Sequence, residues 1–406
     1  MQNDNGIEVM RTRHGEVVLL TMLVALGVFS VTLYVPSMPA ITADFAVPAV
    51  EVQSTLGLFL LGFAIAQLLV GPLSDRFGRR PVLLVGLVVY LLISGLCAIA
   101  PSIEALQGGR FLQGAAACVG PVVARAVVRD RYHGLEAVRI FAFIGTALAL
   151  APALAPIVGG FIEELAGWRA NFGALALFGA LLFGLSMIRF EESHLPTATH
   201  ALNPLRLGAA YLHIIRNRYF LGNVLAGSLI FGGLFSYNTL APYLFIDKLG
   251  ASPHQYGYLM LFTVASYATG SYLSGRLRRK VSGHRLIILG TTSAMVGGLM
   301  LLLLSGELTY GRVIVPMMAF QFGMGLVLPP SIARAMQPFP QNAGSASALM
   351  GFLQMLSGAL ATFVAQSIFD GSAGGLGWIA FLLGGGAMLC YLLLTTGAAG
   401  SGSDTA

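Results

Sequence analysis

Charge is what this chain has least of. Only 10% of its 406 residues are Asp, Glu, Lys or Arg, where a soluble domain carries about a quarter. Lysine is nearly absent: Lys248 and Lys280 are the two, followed by Leu249 and Val281. Neither belongs to a Gly-Lys-Ser/Thr phosphate loop, which excludes an ATP pump of that type. Cysteine is scarce as well. Cys97, Cys118 and Cys390 lie in apolar runs without metal-ligand spacing and read as buried free thiols. The sequence has no H-E-x-x-H and no G-x-S-x-G, the marks of zinc proteases and of many serine hydrolases. The expectation is a protein that is not an enzyme and holds no metal or cofactor.

What fills the chain instead is apolar. Hydrophobic residues make up 56%, and the mean hydropathy is +0.80. That composition fits an all-α membrane protein, because helices satisfy their own backbone groups in lipid. Twelve spans are expected, at roughly 17–40, 52–72, 81–100, 103–128, 137–162, 168–188, 219–246, 256–275, 284–304, 312–336, 343–369 and 375–396. Arg11 and Arg13 before the first run resemble a signal peptide, but the run is too long for one and reads as a retained span. On this map nineteen Lys and Arg fall on one side, three (Arg169, Lys248 and Arg312) on the other, and Arg110 within a span. The asymmetry puts both termini in the cytoplasm. It also explains the net charge of +6 and the pI near 9.4 without any nucleic-acid partner.

The longest polar stretch, 189–218, divides the chain. The expected organisation is a six-helix bundle over 1–188, a central cytoplasmic loop over 189–218, and a second bundle over 219–406 ending in a short disordered tail. The halves are internally similar. Leu73-Ser74-Asp75-Arg76-Phe77-Gly78-Arg79-Arg80 recurs as Leu273-Ser274-Gly275-Arg276-Leu277-Arg278-Arg279-Lys280, and Pro121-Val122-Val123-Ala124-Arg125-Ala126 as Pro330-Ser331-Ile332-Ala333-Arg334-Ala335. Parallel repeats of this kind place a binding site near the membrane midplane.

Between spans 2 and 3 stands Gly71-Pro72-Leu73-Ser74-Asp75-Arg76-Phe77-Gly78-Arg79-Arg80. It resembles the loop 2–3 signature of the major facilitator superfamily, with every fixed position filled. The bland reading is a positively charged loop with no further role. Arg110-Phe111-Leu112-Gln113-Gly114 resembles the superfamily's second signature, Arg-x-x-Gln-Gly. Span 5, with Pro152, Pro156, Gly159 and Gly160, is similar to the third, with alanines where glycines are usual. Ala-Pro-Ala-Leu-Ala-Pro, Trp168-Arg169-x-x-Phe172 and Tyr34-Val35-Pro36-Ser37-Met38-Pro39 resemble the bicyclomycin and chloramphenicol resistance exporters within it. The resemblance implies two pseudo-symmetric six-helix bundles (the major facilitator fold). It also implies a multi-pass protein of the bacterial inner membrane that exports small amphipathic molecules, as a monomer, by alternating access driven by the proton gradient.

The resemblance also suggests roles. Gly71, Asp75, Arg76, Gly78, Arg79 and Arg80 form a gating loop, with Asp75 latching onto the start of span 11. Pro152, Pro156, Gly159 and Gly160 mark a helix bend, either moving or merely packed. Arg110 and Gln113 belong to coupling, unless Arg110 snorkels to the interface. Thr32, Tyr34, Tyr237, Asn238, Gln321 and Gln354 are candidate substrate contacts, with ordinary helix–helix bonding the competing reading. One departure stands out. The related exporters carry an aspartate where this chain has Thr32, and none of its seventeen acids falls at the midplane on the span map. A lone arginine without that acid favours an anionic cargo, such as a carboxylate siderophore, as the alternative to drug efflux.

Overall fold

The computed structural model describes residues 2–193 and 204–395. The central stretch 194–203 and the C-terminal tail therefore lie outside the described residues, as do the side chains of Arg11 and Arg13. The helices run in order as α1 Gln2–Thr32, α2 Met38–Phe45, α3 Ala49–Phe77, α4 Arg79–Ala98, α5 Ile103–Ala117, α6 Val119–Arg131, α7 Gly134–Ala166 and α8 Trp168–Arg189. After them come α9 Pro204–Ile215, α10 Arg218–Pro242, α11 Pro253–Leu277, α12 Gly283–Leu303, α13 Tyr310–Met336, α14 Ala343–Ser367 and α15 Gly374–Thr395. Taking α1 with α2 and α5 with α6, twelve spans result among the described residues. Eleven are long and apolar enough to cross a membrane on composition alone. The twelfth, α11, has the length but is more polar, because Tyr256, Thr263 and Tyr267 line an internal cavity.

Three expected boundaries are corrected. The first span is broken: Leu33 and Tyr34 bend the chain and Val35–Ser37 form one tight turn before α2. Pro36 cannot donate an N–H to a continuing helix. The fourth breaks at Cys118 and then runs on to Arg131. The second does not stop near Gly71. Helix α3 continues through Pro72 to Phe77, and only Gly78, at φ +95°, separates it from α4. The motif expected to be a loop is thus two helix ends around one residue. Hydropathy marks where apolar residues stop, not where helix stops. The fifth span is one helix, α7, of 33 residues, with Pro152 and Pro156 inside it.

The helices form two bundles, α1–α8 and α10–α15. The bundles meet along two seams, α3 against α14 and α7 against α11. Both seams depend on small residues, which let backbones approach closely. A Cβ on Gly160 would overlap the Pro253 carbonyl, and one on Gly257 would meet the Ile157 backbone. Gly159 faces the other way, where a Cβ would overlap the Leu33 carbonyl. In α14, a Cβ on Gly351 would overlap the Gln67 amide of α3, and one on Gly358 would meet Phe235 of α10 and Leu60 of α3. The expected central loop contains α9, whose Tyr211 hydroxyl donates to the Leu68 carbonyl at 3.0 Å. Cys97 and Cys118 are buried free thiols and Cys390 is half-buried.

Candidate functional site

Between the bundles lies a cavity of ~450 Å³. Its wall is mainly aromatic and aliphatic: Phe59, Phe63, Phe141, Phe231 and Phe235, with Met260, Met324 and Met355. Methionine adapts its shape to a guest, and a few polar groups in an apolar wall fix orientation. Those polar groups come from both bundles. Thr32, Asn238, Gln321 and Gln354, expected from the sequence, all line it. The Gln321 side-chain oxygen has no hydrogen-bond partner. The cavity wall also includes Pro152 and Pro156. No Asp or Glu lines it among the described residues.

The other expected contacts lie behind the wall. Arg110 is fully buried and does not line the cavity. Its guanidinium sits 4.1 Å over the Tyr34 ring and 4.3 Å over Phe59, with Phe172 at 5.7 Å. It donates to the Ser30 carbonyl at 3.0 Å and to the Gln113 side-chain oxygen. Gln113 then donates to Ser94 at 2.8 Å, and Ser30 bonds Tyr90 at 2.7 Å. Arg110 therefore neither snorkels nor faces a central chamber. It is caged by rings, and Phe59 stands between it and the cavity. Tyr34 is buried too, its hydroxyl 3.1 Å from that of Thr55. Tyr237 is fully buried in the core rather than on the cavity wall.

A second cavity of ~370 Å³ lies at the arginine-rich end, between α3, α6, α9 and the start of α14. Gly71, Asp75 and Arg79 line it, opposite Gly344 and Ser345. Asp75 pairs with Arg79 at the start of α4, not with α14. Arg79 also reaches Asp130 at 3.1 Å and Ser74 at 2.6 Å. The backbone N–H groups of Arg79 and Arg80 donate to the Glu192 carboxylate at 2.9 and 3.0 Å. A helix N-terminus is a natural anion site. A Cβ on Gly78 would lie 2.6 Å from that carboxylate, so the motif's second glycine clears its seat. Arg76 lies over the Phe77 ring at 5.3 Å and takes no part in this network.

The opposite end is shut. Thr42 of α2 and Tyr243, just after α10, join through their hydroxyls at 3.0 Å. Glu164 of α7 accepts from the His254 backbone at 3.1 Å and lies 2.6 Å from its Nδ1, while Phe161 stacks on the imidazole at 5.1 Å.

Sequence reasoning missed Arg125. Counted from charge alone, it belongs with the loop arginines. In the structure it lies about two turns inside α6, is exposed to internal space, and is the residue common to both cavities. Its place in the Pro-x-x-x-Arg repeat was the available signal. Tyr256, Thr263 and Tyr267 were also passed over, because α11 read as a plain span.

This arrangement, two six-helix bundles around a closed-ended apolar cavity, is that of a membrane transporter rather than a channel or an enzyme. Residues 19–362 match the Major Facilitator Superfamily model, and the chain belongs to that family. Within it the chain falls in the bicyclomycin and chloramphenicol resistance group. It is 34% identical to the uncharacterized MFS-type transporter YdgK of Bacillus subtilis (strain 168), over 84% of this chain and 86% of that protein. It is 31% identical to multidrug resistance protein D of Escherichia coli (strain K12), over 93% and 95%. A bicyclomycin resistance protein homolog of Haemophilus influenzae is 28% identical over 88% and 90%. Among solved structures, a D-xylose-proton symporter superposes with a TM-score of 0.72 at 17% identity, covering 94% of this chain and 97% of that one. The likeness to the symporter concerns the fold alone.

Proposed function

We propose that this protein exports small amphipathic molecules across the bacterial inner membrane, by alternating access driven by the proton gradient. The observation that carries this reading is the mixed aromatic, methionine and amide cavity, contributed by both bundles and shut at the end away from the arginines. With the arginine-rich end in the cytoplasm, as the charge distribution favours, such a cavity loads from inside. The names of relatives in the resistance group point the same way. The chain works as a monomer, with a six-helix unit on either side of the 189–218 linker and both termini inside. Proton coupling has no acid on the cavity wall to run through among the described residues. The carboxylates left for it lie away from that wall: Asp75, Asp130 and Glu136 at helix ends, and Glu16 within α1, paired with Arg131.

The test is a panel of amphipathic drugs in proteoliposomes with an imposed pH gradient. Accumulation that rises with the gradient and collapses when it is dissipated is the expected result. Transport of every compound indifferent to the gradient removes the antiport half. No transport of any compound removes the efflux reading itself.

A further inference from the structure

Among the described residues the cavity has one cation on its wall, Arg125, and not the Arg110 of the Arg-x-x-Gln-Gly signature. Arg125 is exposed to internal space, while Arg110 is caged at 0% exposure. Arg125 donates from Nε to the Pro121 carbonyl of its own helix at 3.0 Å. No carboxylate among the described residues pairs with it. The antechamber on its other side adds Arg129, while Arg79 on the same wall is already engaged by both Asp75 and Asp130. Low-dielectric walls focus such a potential inward. An entering molecule meets positive charge first, then Arg125, then an apolar chamber of ~450 Å³.

We propose that the cargo this chamber selects is an amphipathic organic anion, a carboxylate or similar acid on an apolar body. Its acid group pairs with Arg125, and its body occupies the Phe/Met wall. The proposal rests on the export reading above and narrows its substrate class. A guanidinium presents a fork that matches carboxylate geometry and holds it with charge-assisted bonds. An uncharged molecule gains the wall but not the fork. A cation of the same shape must sit beside an arginine with no carboxylate to offset it. Arg110 does not set this preference, because the Tyr34 and Phe59 rings occupy its open face.

The experiment measures binding of three matched fluorescent probes to the full chain in nanodiscs by anisotropy, against empty discs. The probes are pyrenebutyrate, pyrenebutanol and pyrenebutyltrimethylammonium. Wild type is expected to bind the carboxylate about ten-fold more tightly than the ammonium, with the alcohol between. Arg125→Gln is expected to lose about ten-fold for the carboxylate and less than about two-fold for the alcohol, and Arg125→Glu to reverse the order of the two ions. Arg125→Lys keeps the anion preference, and Arg110→Lys leaves the ratio unchanged. Equal affinity of wild type for carboxylate and ammonium, or Arg125→Gln that binds the carboxylate as wild type does, overturns the proposal. The wild-type ratio decides the matter even if an Arg125 variant fails to fold. If wild type binds none of the three probes, the cavity is not a binding site for amphiphiles, and the export reading falls with it.

Discussion

An arginine at zero exposure inside a membrane protein needs a reason to stay. For Arg110 the reasons are three ring faces, one carbonyl and one amide, while its Nε and one terminal nitrogen have no hydrogen-bond partner. Each desolvated cation–π contact contributes up to about 2 kcal/mol. Together they tie α1, α3, α5 and α8 at one point. Arg110 is thus a structural pin of the first bundle. Arg110→Ala is expected to lower thermal stability by roughly 3 kcal/mol, from the lost ring contacts and the space left among Tyr34, Phe59 and Phe172, read as a depressed melting temperature in detergent. Arg110→Lys should recover only part of it, since an ammonium stacks and forks less well than a guanidinium. A variant that melts like wild type would deny the pin. The sequence made it legible that Arg110 is intramembrane and that Gln113 accompanies it. Which way the guanidinium points depends on Tyr34, Phe59 and Phe172, which come from three other elements. No spacing rule brings those together. Arg125 was hidden for the opposite reason, since its neighbours in sequence are the very arginines that mark the membrane edge.

At the scale of elements, hydrophobic runs located every spanning helix but erred at ends and breaks. The break at Val35–Ser37 and the run-on of α3 to Phe77 both turn on backbone hydrogen bonding, which hydropathy does not weigh. The Gly159-Gly160 pair was legible as close packing. That its two members serve different partners, α1 and α11, was not. The shut end makes a prediction here. Glu164 and His254 bring α7 and α11 together through a backbone donor and an imidazole. Glu164→Gln and His254→Ala should each open that end, measured as increased reactivity of a cysteine placed at Thr42 toward an impermeant thiol reagent. The His254 and Glu164 side chains are 30% and 31% exposed, so the coupling energy in a double-variant cycle should be modest, about 1 kcal/mol or less. Strictly additive effects would mean that the pair is incidental and that the glycine seam alone holds the end.

At the scale of the molecule, two ends of one seam cannot both close around a cavity that must load and unload. Here the Thr42–Tyr243 and Glu164–His254 end is shut, and at the other end Asp75 faces an open antechamber instead of the start of α14. Asp75, near the end of α3, is 43% exposed and pairs with Arg79 at the start of α4. If the antechamber closes, Asp75 approaches the α14 N-terminus, where a carboxylate gains about 0.3–1 kcal/mol from the helix dipole. In the open state the pair with Arg79, whose buried guanidinium is shared with Asp130, is worth about 0.3 kcal/mol or more. The difference sets the sign and the size of the effect. Asp75→Asn removes both terms, so the population should move toward the state described here, by up to about three-fold. Distances between spin labels on α6 and α14 at the arginine-rich end would report it as a larger long-distance fraction. A shift toward the short distance would mean that the Arg79 pair outweighs the dipole, and that Asp75 holds the antechamber open rather than latching it shut.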